Sequence, residues 1–269
     1  MGYPRVSPVR EVHDLDDLLD LTGHHPVVVW DVGAGFTAPA WALDGGPGWA
    51  VAFPRRSDHG VPGAAALGDA AGLDALFASP RVREWFRTCG ARHLSAPREH
   101  QPLVARHLDL GERGGDWDWM WTTAPPPAVP GEDRVEPLDE GCLDELTAFL
   151  AEHSPRTHGQ PFARPGQRWV GVRDEGGRLL ACGASEPSEA GTPTLAGIAT
   201  DSRRRRCGLG TAVSASLTRA AVGGHGACAL GMYADNAPAR RVYERLGFVT
   251  GARWRSRWLE DPTPPARRT

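Results

Sequence analysis

The chain has 269 residues, enough for one large domain or two of ordinary size, and its 41% hydrophobic content is that of a globular protein. The formal net charge of −3 argues against a nucleic-acid partner at the level of whole-chain electrostatics. No window holds 18 consecutive apolar residues, so no membrane span is expected.

Residues 1–125 read as a first α/β unit. The N-terminal stretch lacks an apolar core of signal-peptide type. Leu15, Leu18, Leu19 and Leu21 suggest a short amphipathic helix. Val27 to Trp30 and Trp49 to Phe53 read as strands, Leu73 to Phe86 as a helix interrupted at Pro80, and Leu103 to Leu110 as helical. Trp117, Trp119 and Trp121 alternate strictly, which puts three indoles on one face of a strand. A ligand platform is one reading; the inner face of a packed sheet is favoured, because tryptophans bring large apolar area. Residues 123–132 hold four prolines without periodicity and read as an extended linker.

A second unit follows over 133–260. Arg134 to Leu138 reads as strand and Asp139 to His153 as a helix with Leu143, Leu146, Phe149 and Leu150 on its apolar face. The stretch 153–166 is irregular. Trp169 to Arg173 and Leu179 to Ser185 form a hairpin around Glu175-Gly176-Gly177. Thr194 to Ala199 reads as strand, and Leu209, Val213 and Leu217 mark the next helix. Ala227 to Met232 reads as a buried strand, Asn236 to Leu246 as a helix capped by Asn236 with Pro238 in its first turn, and Phe248 to Leu259 as strand. The five cysteines are odd in number and scattered, without a CxxC pair, so reduced thiols in a cytoplasmic protein and no metal site are expected.

Between the Thr194 strand and the following helix lies Arg205-x-x-Gly208-x-Gly210. A strand, Gly-rich turn and helix in this order aim backbone N–H groups and the positive end of a helix at one spot, an anion site. Arg205 and Arg206 add charge-assisted donors. All 30 Lys-plus-Arg positions are arginine, so the turn cannot be a lysine-containing P-loop, and the acidic residue of a dinucleotide fingerprint is missing.

With Asn236 to Tyr243 and Leu246-Gly247-Phe248 following, these segments resemble the acetyl-CoA signature of the GNAT superfamily (GCN5-related N-acetyltransferases), and the run from Gly197 to Gly210 is similar to its FR47-like branch. The resemblance covers about Asp133 to Leu259. Ser202 and Cys207 depart from the common pattern at positions that supply no essential side chain. The resemblance implies an α/β (α+β) GNAT fold, a mixed central sheet flanked by helices. The strand–helix rhythm of the smaller first unit is compatible with a degenerate second copy.

It further implies a splayed strand whose backbone at Ile198, Ala199 and Thr200 holds a pantetheine arm, and a pyrophosphate on Arg206, Cys207, Gly208, Leu209, Gly210 and Thr211, flanked by Arg205. Asn236 would contact acetyl-CoA or cap its helix. Tyr243 would be the acid for the departing thiolate, and Glu186, His158 and Asp235 are candidate bases. Cys207, at a helix N-terminus, is a further nucleophile candidate that phosphate would displace from that role. The implied reaction is direct acetyl transfer to the amine of a small-molecule or amino-acid-like acceptor by a monomer or homodimer. A non-catalytic acyl-CoA-binding or regulatory module and an enzyme that modifies protein N-termini or side chains are the competing classes.

Overall fold

The computed structural model describes residues 9–46, 48–57 and 60–259. Residues 1–8, part of the stretch read above as lacking a signal core, and residue 260, the expected end of the second unit, lie outside them. Two compact units are present. The first comprises residues 9–24, 36–117 and 253–259, and the second residues 25–35 and 118–252. This differs from a linear division at the Pro-rich linker. Segment 25–35 belongs with the second unit and the end of the last strand with the first.

In the first unit, β1 (Val9–Val12), β2 (Ala40–Leu43), β3 (Ala50–Arg56) and β4 (Pro62–Gly68) are successive antiparallel neighbours. Helices α1 (Leu15–Leu21), α2 (Ala70–Ala78) and α3 (Pro80–Thr88) precede β5 (His93–Pro97), which pairs with β4 in parallel. A short α4 (Gln101–Val104) leads into β6 (Leu110–Thr122). Leu73, Leu76 and Phe77 of α2 and Val82, Trp85 and Phe86 of α3 bury against Ala50, Ala52, Ala64, Ala66, Leu94 and Ala96. The alanine floor lets the helices lie close to the strands.

The structure differs from the sequence expectation at two places. Val27 to Trp30 is not a strand; Val28–Val32 form a wide π-helical turn. Leu103 to Leu110 is not a helix, because α4 ends at Val104 and β6 begins at Leu110. Strand β4 escaped notice because PGAAALG has no β-branched residue; its seven-residue register with β3 decides its state.

The second unit contains β7 (Glu136–Leu138), α5 (Leu143–His153), β8 (Arg168–Arg173), β9 (Leu179–Pro187), β10 (Pro193–Thr200), α6 (Leu209–His225), β11 (Cys228–Tyr233) and α7 (Ala237–Arg245). β12 (Val249–Leu259) closes the chain; its residues 253–259 belong to the first unit, where Trp254 to Trp258 pair with Pro97 to His93. The strands of the second unit run in the order β7-β8-β9-β10-β11-β6. Pairing is antiparallel from β7 to β10 and parallel between β10 and β11.

Side-chain alternation sorts the two faces of this sheet. Val170, Val172, Ala181, Leu230, Met232 and Met120 bury with α6 and α7. Trp169, Cys182 and Ala184 bury with Leu146, Phe149 and Leu150 of α5. Trp119 and Trp121, on either side of Met120, therefore face the α5 side. Trp119 is 1% exposed, which fits the sheet-face reading, and half-buried Trp121 stacks on Trp30 at 6.4 Å. Trp117 belongs to the first unit, where its indole N–H donates to Ser256 Oγ at 2.8 Å.

Candidate active site

The second unit opens at β10. This strand keeps its β9 register from Pro193 to Thr200, shifted between Ala196 and Ala199. Its parallel register with β11 covers only Thr194–Ala229 and Leu195–Leu230. Ala199 and Thr200 thus have a ladder partner on the β9 side, Ile198 falls within the register shift, and among the described residues none of the three has a β11 partner. Gly197 sits in the register shift at φ 62°. A Cβ there would come within 2.5 Å of the Trp169 ring, so both conformation and space demand glycine.

The chain then turns into the helix. Asp201, buried at the end of β10, accepts the Arg203 N–H at 2.9 Å and pairs with Arg178 at 2.7 Å. The Arg203 N–H holds its carboxyl below the usual range. Arg206 at φ 67° and Gly208 at φ 81° reverse the chain, and Ala212 N–H donating to the Gly208 carbonyl is the first rung of α6. The N–H groups of Leu209, Gly210 and Thr211 therefore have no intrahelical acceptor. A Cβ on Gly210 would lie 3.1 Å from Thr200 Oγ1, which shows how closely the helix start meets the strand end.

Residues 202–208 are exposed. Arg205 is tethered by its guanidinium to the His153 carbonyl at 3.3 Å, and the exposed Cys207 thiol lies 3.8 Å from the Arg205 carbonyl. The sequence-predicted residues 198–200 and 205–211 are thus brought together around one exposed set of donors at the positive end of a 17-residue helix. That donor set fits a pyrophosphate.

Asn236 caps α7, its side-chain oxygen accepting the Ala239 N–H at 3.2 Å. Tyr243 lies apart from the loop residues in character. It is 8% exposed, packs edge-on to Phe248 at 5.8 Å, and shares a core with Cys228 and Leu246. Burial pushes its phenol up, so the hydroxyl keeps its proton throughout the neutral range.

The three candidate bases differ in their surroundings. Glu186 is buried, with one oxygen 2.9 Å from Arg164 and the other 2.7 Å from the Gln167 amide. Asp235 receives both arms of Arg156, at 3.0 and 3.3 Å. His158 Nε2 lies 2.9 Å from the hydroxyl of Tyr233. Tyr233 belongs to no motif in the sequence. The available signal was its place beyond Leu230 and Met232, which the alternation of β11 sends to the opposite face.

A family model described as the acetyltransferase (GNAT) family matches residues 133–248. No protein of curated function matches the sequence significantly. A solved structure from Novosphingobium aromaticivorans, assigned to the GNAT family, is 19% identical over 89% of this chain and 94% of its own, with a TM-score of 0.50. A GCN5-related N-acetyltransferase from Sphaerobacter thermophilus is 15% identical over 95% and 96%, with a TM-score of 0.51. At these identities the likeness is one of fold. The strand order, the opening beside β10 and the family match over 133–248 agree: this chain carries a domain of the GNAT acetyltransferase family.

Proposed function

We propose that the second unit is an acetyl-CoA-dependent N-acyltransferase that acetylates the amine of a small-molecule acceptor. The observation that carries this reading is the junction of a half-paired β10 with an exposed, glycine-permitted helix start. Backbone groups of Ile198 to Thr200 would hold the pantetheine arm, the N–H groups of Arg206 to Thr211 the pyrophosphate, and Arg205 and Arg206 would add charge. When bound, acetyl-CoA supplies an activated acyl carbonyl. The protein contributes positioning of donor against acceptor, removal of a proton from the amine, and return of one to sulfur. Tyr243 is the proposed donor, since its buried hydroxyl stays protonated at neutral pH.

The first unit repeats the strand pattern, three antiparallel steps followed by a parallel one, and we read it as a degenerate copy of the same fold. Its helix start is already occupied. Asp69 accepts the N–H groups of Gly72 at 2.8 Å and Trp49 at 3.2 Å, so the chain's own carboxylate sits where an anion would. One acetyl-CoA per chain follows. Among the described residues no helix is long and apolar enough to cross a membrane. The FR47-like branch, a cytoplasmic location, a monomer or homodimer and the absence of nucleic-acid partners complete the reading.

The core position of Tyr243 favours a second reading, an acyl-CoA-binding module without turnover. CoA release from acetyl-CoA in the presence of a primary-amine panel separates the two. Turnover that falls about 10-fold or more in Tyr243→Phe supports the transferase with Tyr243 as acid. Acetyl-CoA binding without turnover by any amine supports the module.

A further inference from the structure

The α5 face of the second unit holds a group of residues that the donor site does not use. Gly231 lies inside β11, between β10 and β6, yet it is exposed. Its neighbours Leu230 and Met232 are buried on the other face, so the sheet is uncovered over Gly231 on the α5 side. Tyr233, two residues on, projects from the same face.

The segment after α5 reaches both arms of the open sheet. Gly159 touches β10, where a Cβ on it would meet the Gly197 Cα at 2.8 Å. On the β11 side, Arg156 makes its two-armed pair with Asp235 and places its guanidinium 4.1 Å from the Tyr233 ring centroid. The Tyr233 hydroxyl donates to the Arg156 carbonyl at 3.0 Å and lies 2.9 Å from His158 Nε2. A short segment thus fixes an imidazole and a phenol together at the end of the strand that borders the opening.

We infer that Tyr233 and His158 form the proton-accepting pair for the acceptor amine, the base of the proposed transfer. This rests on the transferase reading above. The other two candidates are engaged: both oxygens of Glu186 and both of Asp235 already face cationic or amide donors. The phenol has one proton and two acceptors within reach, the Arg156 carbonyl and His158 Nε2. It turns its proton to Nε2 as its oxygen takes one from the amine, and for this step Nε2 is the nitrogen without hydrogen. The Arg156 cation over the ring stabilises negative charge building on the phenol oxygen.

The balance closes on the atoms named. The substrate ammonium gives one proton to Tyr233 Oη, Tyr233 passes its own to His158 Nε2, and a neutral amine remains. The amine nitrogen bonds the acyl carbon, the carbon–sulfur bond breaks with its electron pair on sulfur, sulfur takes a proton from Tyr243, and the second proton lost by nitrogen replaces it. The products are the amide, the CoA thiol and one proton released to solvent from His158.

The test uses the full chain and the variants Tyr233→Phe, His158→Gln and the double variant. Acetyl-CoA affinity is measured by calorimetry and turnover with alkylamines, polyamines and amino acids. Each single variant is expected to keep the acetyl-CoA Kd within about 3-fold and to lose about 100-fold in kcat, and the double variant to lose little more. An aromatic amine, neutral at pH 7, is expected to lose much less, which a merely structural role would not produce. A readout independent of turnover is the ¹⁵N spectrum of the His158 imidazole in the ligand-free protein, expected to move in Tyr233→Phe.

Variants with near-native kcat on alkylamines, an unmoved imidazole spectrum, or equal losses on aromatic and alkyl amines overturn the assignment while leaving the transferase intact. An unaltered protein that binds acetyl-CoA and acylates nothing overturns both.

Discussion

Gly197→Ala probes the feature on which the opening of β10 depends. The substituted residue must keep φ near 62°, which costs an L-residue about 1–2 kcal/mol. Its Cβ must also enter space 2.5 Å from Trp169 Cη2, in a ring only 1% exposed. Overpacking of that kind costs about 1–3 kcal/mol more. The total, about 2–5 kcal/mol, corresponds to a Tm lower by about 5–15 °C for a unit of this size. Gly208→Ala is the control. Gly208 has a similar φ of 81° but nothing within 4 Å of the added Cβ, so only the conformational cost applies, about 1–2 kcal/mol. Thermal and urea unfolding of both variants provide the comparison. Trp169→Phe removes the indole atoms in the way, and combined with Gly197→Ala it is expected to show a coupling of about 1 kcal/mol or more. A Gly197→Ala protein no less stable than Gly208→Ala would refute the crowding account.

Cys207 is exposed in the donor loop, whereas burial pushes the thiols of Cys182 and Cys228 up to about 12. Saturating acetyl-CoA is expected to slow alkylation of Cys207 about 10-fold or more; mass spectrometry of labelled peptides would show it, and an unchanged rate would count against the loop site. Burial pushes the His25 imidazole down, and its Nδ1 accepts the Val27 N–H at 3.2 Å. The neutral ring is therefore favoured by folding, and its contribution, present above pH ~6.5, is lost as pH falls through the folded value. Urea unfolding at pH 7.5 and 5.5 is expected to show a drop that shrinks in His25→Asn. Asp69→Ala removes the cap of α2 and is expected to cost about 1 kcal/mol without creating a second acetyl-CoA site, which calorimetric stoichiometry would check.

The second unit was legible because local chemistry governs its elements. Asn236, Pro238 and Gly247 bound α7, Leu209, Val213 and Leu217 mark α6, and the Arg205–Gly210 turn sits between β10 and α6 where its glycines require. The donor loop was legible for the same reason, since a glycine at φ 81° before a helix leaves a trace in sequence. The first unit was less so. Its strands β2, β4 and β5 are short or rich in alanine, and only long-range register fixes them. The pairing of β12 with β5 joins residues as far apart as Ser95 and Ser256, which no local pattern reveals. The Tyr233–His158 contact, too, needs a folded segment to bring together residues 75 apart.

The proposed function depends first on acetyl-CoA binding at the turn from β10 into α6. Calorimetric titration of the full chain with acetyl-CoA, beside an Arg206→Glu plus Gly208→Glu variant whose fold is checked by circular dichroism, tests it most directly. One site per chain with a Kd in the micromolar range is expected, weakened about 100-fold or more in the folded variant. No heat of binding to the unaltered protein, or equal affinity in the variant, would contradict it.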